Sequence, residues 1–434
     1  MISELTHYAL IVLNGAGFVF LLSLFAIGAI GSLFFKKNDV LANLWQSFFA
    51  IIGSLWGILF SIGILITGRD ISFSADSSVF PLLSFSFHID MLSAFFIFVI
   101  SLIALFCSIY GVGYIQHFYK KYSIGALGFF YHLFIVGMLM VVSASNALFF
   151  LMAWEIMSLA SYFLVVYDRD DTNNVKAGFI YLVMTHIGTV FILLAFLILS
   201  IFAGSGLTPF QFVPGSVITF DFFKHSSGWL ATSLQFDFES MRSVSFLIPA
   251  FFKNAVFVLL MIGFGTKAGI IPFHIWLPSA HPAAPSHVSA LMSGVMIKTG
   301  IYMMIRMFFD VLQPVPLWWG VTVLIIGSVS ALLGVLYALT EHDIKRLLAY
   351  HSIENIGIIL LGLGSALVFS SFGNIPLALF GLAAALFHTL NHATFKSLLF
   401  LSAGSVINQT HTRNMEEYGG LIKYMPRTAF FFLI

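Results

Sequence analysis

The chain has 434 residues, of which 60% are hydrophobic, 17% aromatic and only 9% charged. Soluble domains carry roughly 25% charged residues, so this chain has too few to cover a globular surface. Its mean hydropathy is +1.01 and its net charge only +1, which indicates a membrane protein and argues against nucleic-acid binding or a disordered scaffold.

Cysteine content and motifs limit the possible chemistry. The one cysteine, Cys107, excludes an internal disulfide and an iron–sulfur cluster held by this chain alone. The sequence contains no GxxxxGK[ST] phosphate loop, so nothing suggests ATP hydrolysis. We therefore predict no cofactor, no metal site, and no redox or hydrolytic site in this chain.

Long apolar segments predict about 12 membrane helices, because a span needs about 20 apolar residues. Apolar positions run almost all round each segment, which favours helices over the short alternating runs of a β-barrel. The first span lacks a basic leader and is too long for a signal peptide, so we expect it to be retained. The predicted fold is an all-α polytopic membrane protein with spans near 8–35, 41–67, 88–114, 124–143, 146–167, 177–203, 248–272, 286–309, 317–340, 347–369, 376–407 and 425–434.

Basic residues between the spans predict the orientation, because cytoplasmic loops are enriched in Lys and Arg. One set of alternating loops carries Lys36, Lys37, Lys120, Lys121, Arg169, Lys176, Lys345, Arg346, Arg413, Lys423 and Arg427. The other set carries only Arg69, Lys224, Arg242, Lys253 and Arg306. We therefore expect an inner (plasma) membrane protein with its N-terminus on the outer side. The polar, aromatic segment 204–247 is then an external excursion, with room for an interfacial helix.

Ionisable side chains inside the predicted spans are the candidate functional residues. A central Lys or acid costs roughly 2.5–3.5 kcal/mol on insertion scales and by default marks an ion path. The set comprises Glu155, Lys267, Lys298, Glu354, Lys396, His132, His186, His351, His388 and His392.

Three of these charges lie in mid-span positions that are hard to explain structurally. Glu155, in WEIMSLASYF, has no polar region nearby that its side chain could reach. It should therefore face a cation inside the bundle, either for function or as a structural ion pair. Lys267 lies in IGFGTKAGIIPFHIWLP, where glycines and Pro272 should break the helix. Broken helices near the midplane are where transporters place ion sites. Lys298 lies at the middle of the next span.

The histidines divide into stronger and weaker candidates. His388, His392 and Lys396 recur every four residues and should share one helix face over roughly 12 Å. That face suits a proton relay better than a metal site, although satisfied core histidines are the alternative. For His186, and also for the His351/Glu354 pair, a functional role and a structural role are equally favoured. We expect His132 to serve in packing, Asp90 to cap or anchor its helix, and HPAAPSH (281–287) to form a cytoplasmic turn that is either a rigid connector or an uptake funnel.

A desolvated lysine beside a carboxylate provides a physical switch. At 4 Å and an effective dielectric constant near 20, the two charges interact by about 4 kcal/mol. Moving Glu155 toward or away from Lys267 would then decide whether Lys267 keeps its proton, with Lys298 and the histidines as lateral acceptors. This hypothesis requires Glu155 and Lys267 to be neighbours.

Four motifs carry a family resemblance from about residue 90 onward. They are WEIMSLASYFLV, GFGTKAGIIPFHIWLPSAHPAAPSHVSALMSG, LTEHDIKRLLAYHSIENIGII and HTLNHATFKSLLFLSAGSVI. The chain resembles the antiporter-like membrane subunits of respiratory complex I, of multisubunit cation/proton antiporters and of membrane-bound hydrogenases. The segments HPAAPSHVSALMSGVMIKTGIY and AYHSIENIGI are most similar in sequence to the hydrogenase 4 component B/formate hydrogenlyase subunit 3 branch.

The resemblance implies three leading helices in 1–123 and two inverted five-helix repeats, at 124–310 and 311–434, the second incomplete. It also implies roles for individual residues. Glu155 matches the ion-pair carboxylate, Lys267 the broken-helix lysine and Lys298 the relay lysine, while His388, His392 and Lys396 match the central polar axis. The second repeat of the family continues through a further broken helix, so an exit through this half of the chain is in doubt.

Three functions remain open at this point. The first is a proton-translocating subunit of a hydrogenase or complex I-like assembly, partnered by other membrane subunits and, indirectly, by peripheral redox subunits. The second is a Na⁺/H⁺ antiporter module without redox chemistry. The third is a non-conducting structural membrane subunit or fragment.

Overall fold

The computed structural model describes residues 13–76, 84–204 and 234–433, and these are mostly helical. Eleven helices in this part of the chain are long and apolar enough to cross a membrane, which confirms the predicted polytopic helical fold. The helices are α1 (Gly15–Phe34), α2 (Asp39–Thr67), α3 (Met91–Tyr114), α4 (Ile124–Val141), α5 (Ala147–Val165), α6 (Thr172–Gly204), α7 (Phe238–Val244), α8 (Ala250–Ala268), α9 (Leu277–Ala283), α10 (Ser286–Leu291), α11 (Ile297–Ile305), α12 (Leu317–Leu339), α13 (Ile344–Ser371), α14 (Ile375–Thr410), α15 (Leu421–Tyr424) and α16 (Pro426–Leu433).

Two of the spans are composite. The third spanning helix continues from α3 through a 3₁₀ turn, Ile115–Phe118. The eighth runs over Ser286–Val311 through α10, a π-helical turn, α11 and a second π-helical turn. The twelfth predicted span, near 425–434, contains the eight-residue helix α16.

Side-chain caps explain where many of these helices begin. Seven spanning helices start after an Asn, Asp or Ser whose side-chain oxygen accepts a hydrogen bond from a backbone N–H in the first turn. Each cap satisfies a donor that would otherwise be unpaired at the helix end. The capping residues are Asn14, Asn38, Asp90, Ser123, Asn146, Asp343 and Asn374. The expectation that Asp90 caps its helix is therefore confirmed.

A short β-hairpin follows α2 and was missed in the sequence. Strands β1 (Ile71–Asp76) and β2 (Ser84–Ile89) pair antiparallel, with Ile71 opposite Ile89. Both strands alternate apolar and polar residues, the period of a half-buried strand. Phe73 stacks on Phe87 at 4.7 Å between ring centroids, and Phe87 packs edge-on against Phe149 of α5. In the segment 204–247, residues 205–233 lie outside the described residues, and α7 lies just beyond them.

The centre of the bundle is the segment Ser286–Val311. Every residue in its most apolar window is buried, whereas only 28% of the corresponding window of α12 is buried. Lys298 is therefore surrounded by protein on all sides. Among the other spans, α3, α8 and α14 pack most closely against this segment.

Small residues bring α12 and α13 into close contact. Gly320, Gly327 and Gly334 recur every seven residues along α12. A Cβ atom at Gly327 would lie 3.0 Å from the carbonyl oxygen of Gly357 in α13. Backbones can approach this closely only where side chains are missing, as is common between membrane helices. This contact fixes the position of α13, which carries Lys345 and Glu354.

An ion-pair network ties the start of α3 to the end of the central segment. Arg306 donates from both terminal nitrogens to Asp90, at 2.7 and 2.8 Å, and also to Asp310 at 3.1 Å. Ser93 and Tyr302 complete its hydrogen bonds. Burial raises the pKa of Asp90, but the hydrogen bonds and charge of Arg306 outweigh this and lower the pKa to about 2.

We expect Asp90→Asn to lower the free energy of unfolding at pH 7 by roughly 3 kcal/mol, because the substitution leaves the buried Arg306 without its bidentate partner. Because the pKa of Asp90 is depressed in the folded state, its stabilisation is present above about pH 4 and lost as the pH falls toward 2. Thermal unfolding in detergent from pH 7 to pH 2 measures both effects. Asp70→Asn is the control, because Asp70 is exposed; equal unfolding of the Asp90 variant and the wild type at pH 7 would contradict the prediction.

Candidate proton-translocation site

Lys267 lies in the last turn of α8, where the helix breaks. Gly269 ends α8 in a left-handed conformation with φ +76°, and its N–H and that of Ile270 both bond to the carbonyl of Gly265. Trp276 donates its indole N–H to the carbonyl of Thr266 at 2.8 Å, so a carbonyl at the helix end stays paired. The predicted break is confirmed, and it places a cation at the negative end of the helix dipole.

The ammonium of Lys267 is 1% exposed and is held by two hydroxyl groups. It donates to Ser158 Oγ at 2.9 Å and to Tyr181 OH at 3.2 Å. Ser158 comes from α5 and Tyr181 from α6, and Ser161 bonds the same tyrosine hydroxyl at 2.6 Å. Three helices therefore meet at one buried lysine. Sequence reasoning missed Ser158 and Tyr181, although Ser158 lies one turn after Glu155.

Glu155 makes no direct contact with Lys267, although the two residues are close enough to interact electrostatically. Its Oε2 atom lies 3.4 Å from Nε2 of His186, while its Oε1 atom is buried without a hydrogen-bond partner. The side chains are 28% exposed for Glu155 and 48% exposed for His186. The pair therefore lies at the surface of the bundle between α5 and α6, and it acts on Lys267 electrostatically rather than by contact.

Lys298 is completely buried next to a π-helical turn. In this turn, Met292–Met296, the N–H of Ile297 bonds to Met292, five residues back. The Lys298 ammonium donates to the carbonyl of Ser293 at 2.9 Å. The Ser293 hydroxyl in turn lies 2.7 Å from that of Ser352 in α13. The π turn thus provides a backbone oxygen for the lysine and a polar contact to the next pair of helices.

His388, His392 and Lys396 share one face of α14, as predicted. The rings of His388 and His392 are parallel with centroids 6.4 Å apart, and His388 bonds to Asn355 of α13 at 3.0 Å. Both ring nitrogens of His392 are buried without a partner. His392 interacts electrostatically with Lys298, Lys396 and His388. Because Lys298 belongs to the central segment, this face of α14 lies within electrostatic range of that segment.

The His351/Glu354 pair in α13 repeats the pattern of Glu155 and His186. His351 Nδ1 lies 2.5 Å from Glu354 Oε2, and Glu354 acts electrostatically on Lys396. The structure thus contains two sets of residues in which a histidine holds a carboxylate that acts electrostatically on a buried lysine. His132, by contrast, bonds to the carbonyl of Gly128 in its own helix, in agreement with a packing role.

Lys345 is a buried lysine that the sequence analysis assigned to a loop. It is 3% exposed and donates to the carbonyl of Ala284 at 2.8 Å. This carbonyl belongs to HPAAPSH, where Pro285 has no N–H to offer the carbonyl of His281; Ser289 donates to that carbonyl instead, at 2.7 Å. The motif is therefore a buried junction with α13. Its two prolines, Pro282 and Pro285, indicate that donors from elsewhere are needed, but they do not show which residue supplies them.

Metal-ion binding has no obvious location in this arrangement. Within residues 13–76, 84–204 and 234–433, no three His, Cys, Asp or Glu side chains come together in a manner suited to a metal ion.

Comparison with known proteins identifies the family. Residues 144–434 match the family described as NADH:quinone oxidoreductase/Mrp antiporter, transmembrane. The chain belongs to this family. It is 42% identical over 410 residues to hydrogenase-4 component B of Escherichia coli, covering 94% of this chain and 56% of that protein. It is 33% identical over 401 residues to formate hydrogenlyase subunit 3 of the same organism, covering 91% and 59%. The chain thus spans just over half the length of these relatives.

A solved structure supports the fold. The Mrp complex from Dietzia sp. DQ12-45-1b contains a chain that superposes with a TM-score of 0.75 at 24% identity, covering 95% of this chain and 40% of that one. At this identity the likeness shows that the fold of this antiporter family is shared, and nothing about the reaction.

The geometry at Lys267 depends on the break after α8, and this can be tested at Gly269. A Cβ atom there would lie 2.4 Å from Leu277 Cδ1, and a left-handed backbone costs a non-glycine residue about 1–3 kcal/mol. We expect Gly269→Ala to lower the unfolding temperature in detergent more than Gly373→Ala does. Gly373 has a similar φ of +70°, but nothing lies within 4 Å of its Cβ position. Its substitution therefore measures the cost of the left-handed backbone alone. Equal losses would show that the packing of Leu277 on Gly269 is unimportant.

Proposed function

We propose that the chain is a proton-translocating membrane subunit of a hydrogenase, formate hydrogenlyase or complex I-like redox assembly. It moves protons through Glu155, His186, Lys267, Lys298, His388, His392 and Lys396 without a redox centre of its own. The observation that carries the proposal is the series of buried lysines, with Lys267 held at a helix break. It lies in the inner (plasma) membrane with its N-terminus outside, arranged as three leading helices (1–123) followed by two repeats (124–310 and 311–434).

The cost of burying these charges supports a transport role over a purely structural one. Replacing a buried charge with an apolar side chain of similar volume is often neutral or stabilising. Lys267, Lys298 and Lys396 are each at most 1% exposed, and no carboxylate forms an ion pair with any of them in the described part of the chain. A purely structural role would be better served by leucine or methionine.

The Glu155–His186 pair is the proposed input to this series. Ser158, which holds Lys267, lies three residues or about 4.5 Å along α5 from Glu155. A change of side-chain conformation can therefore exchange His186 for Lys267 as the partner of Glu155. Halving the distance between two charges from 8 to 4 Å adds about 2 kcal/mol at an effective dielectric constant of 20. That is enough to change the protonation of Lys267 by more than tenfold.

Partner subunits would drive this exchange from outside the chain. Both side chains of the pair are partly exposed on the surface of the bundle, where an ionisable group facing lipid is costly. A neighbouring membrane subunit that covers this surface with polar groups lowers that cost. It can also move the Glu155 carboxylate by electrostatic or conformational coupling from peripheral redox subunits.

We expect Lys267→Ala to abolish proton translocation by the complete complex in proteoliposomes while electron transfer largely continues, because the variant removes the group that holds the proton. A pH-sensitive dye inside the vesicles measures the first activity and reduction of an electron acceptor the second. Lys423→Ala is the matched control, because Lys423 is exposed on the short helix α15. Unaltered pumping by the Lys267 variant would remove the proposal and leave the non-conducting structural role.

Sodium/proton antiport is the second candidate, because the family description itself includes Mrp antiporters. The same lysines would serve it. The two candidates differ in their sodium dependence: antiport requires a sodium gradient to drive proton movement in vesicles without any redox reaction. Proton movement that follows electron transfer and is indifferent to sodium favours the redox assembly.

A further inference from the structure

A small buried cavity lies where the leading helices meet the central segment. It offers about 10 Å³ to the centre of a water-sized sphere, and one ordered water needs roughly 10–15 Å³ on such a measure. Its walls come from α2, α3, α4 and α10. The residues that line it include Gln46, Cys107, Ser108, Gly111, Tyr131 and His287.

A buried polar atom without a partner belongs to this cavity. His287 is 2% exposed, and its Nδ1 atom has no hydrogen bond. The imidazole packs edge-on or tilted against Tyr114 and Tyr131, with ring centroids 5.6 and 5.5 Å away. The Tyr131 hydroxyl lies 3.0 Å from that of Ser108. A buried polar atom beside a cavity of this size is the usual setting of an internal water, because leaving the atom unpaired costs about 1–3 kcal/mol.

Polar side chains continue from the cavity toward the basic end of the bundle, where Lys36, Lys37, Lys120 and Lys121 lie. Gln46 donates to Asn43 Oδ1 at 3.3 Å, and Asn43 donates to the hydroxyl of Tyr119 at 2.9 Å. Tyr119 is half-buried in the turn between α3 and α4. Gln46 therefore links the cavity to the membrane surface through two hydrogen bonds.

We propose that the cavity binds a water molecule that hydrogen-bonds to His287, Gln46 and the Ser108–Tyr131 pair. Through this water, protons are taken up onto His287, at the start of the central segment that leads to Lys298. A proton that reaches this water leaves it for the lone pair of His287 Nδ1, so the water is unchanged and one positive charge moves onto the imidazole. The uptake role rests on the proposed function; the water site does not. In this arrangement α2 and α3 form part of the proton path as well as supporting the repeats.

Gly111 allows the cavity to be filled with little disturbance. A Cβ atom there would lie 3.4 Å from Ile115 and 3.9 Å from His287. Both are ordinary contacts with residues that line the cavity, so the added methyl group enters the water position. Gly113, two residues along the same helix, has nothing within 4 Å of its Cβ position. The variants Gly111→Ala and Gly113→Ala therefore differ in whether they occupy the cavity.

Oxidation of Cys107 by X-ray radiolysis in H₂¹⁸O reports on the water directly. Cys107 is fully buried, and only a water inside the cavity can deliver labelled oxygen to it. In the full chain in lipid nanodiscs we expect labelled Cys107 in the wild type and in Gly113→Ala. In Gly111→Ala we expect labelling to fall to the level of Met138, which is fully buried and does not line the cavity. Proton translocation should fall in Gly111→Ala alone.

Each remaining result overturns part of the proposal. If Cys107 in the wild type is as protected as Met138, or is labelled equally in both glycine variants, the cavity holds no water. If labelling is lost while translocation is complete, the water is structural and the uptake role is wrong. If pumping survives Lys267→Ala while Cys107 is labelled in the expected pattern, the proposed function fails and the water site stands.

Discussion

The structure depends on how a protein interior accommodates an ammonium group. Such a group loses several kcal/mol of hydration when it is buried, and it must find oxygen atoms that no other donor already uses. A regular helix supplies almost none, because each carbonyl accepts the N–H four residues ahead. Lysines deep in a helical bundle therefore require either side-chain hydroxyls or interruptions of the helices around them.

The interruptions in this chain lie where the buried lysines need them. Lys298 bonds to a carbonyl of the π-helical turn that precedes it, and Lys345 bonds to a carbonyl of the proline-rich junction. Lys267 uses the other solution, two hydroxyls from neighbouring helices, at the end of the broken helix. The proline and glycine residues, the π turns and the buried charges are parts of one arrangement. Removing the irregular backbone would leave Lys298 and Lys345 without their carbonyl partners.

The sequence predicted much of this and failed in specific places. Span positions followed from hydropathy alone, and the break near Lys267 followed from its glycines and Pro272. The position of Lys345 could not be predicted, since a lysine near a helix start is usually in a loop and only the folded junction shows otherwise. The pairing of Glu155 with His186 was not predicted, because spacing along the chain does not show which neighbour a flexible carboxylate contacts. The β1–β2 hairpin was not predicted, because its two strands are only six residues each and lie between long apolar helices.

The separation of Glu155 from Lys267 has a physical consequence for how charge is transferred. Two carboxylates are each held by a histidine, Glu155 by His186 and Glu354 by His351. The lysines on which they act, Lys267 and Lys396, stay buried without contacting them. A contact ion pair would be locked by its own Coulomb energy. A carboxylate that bonds a histidine instead leaves the lysine with its own partners, and it still acts on the lysine through the intervening distance. For the proposed function, this means that a change at the surface of the bundle can influence the lysine without moving it, which is what coupling through a close-packed interior requires.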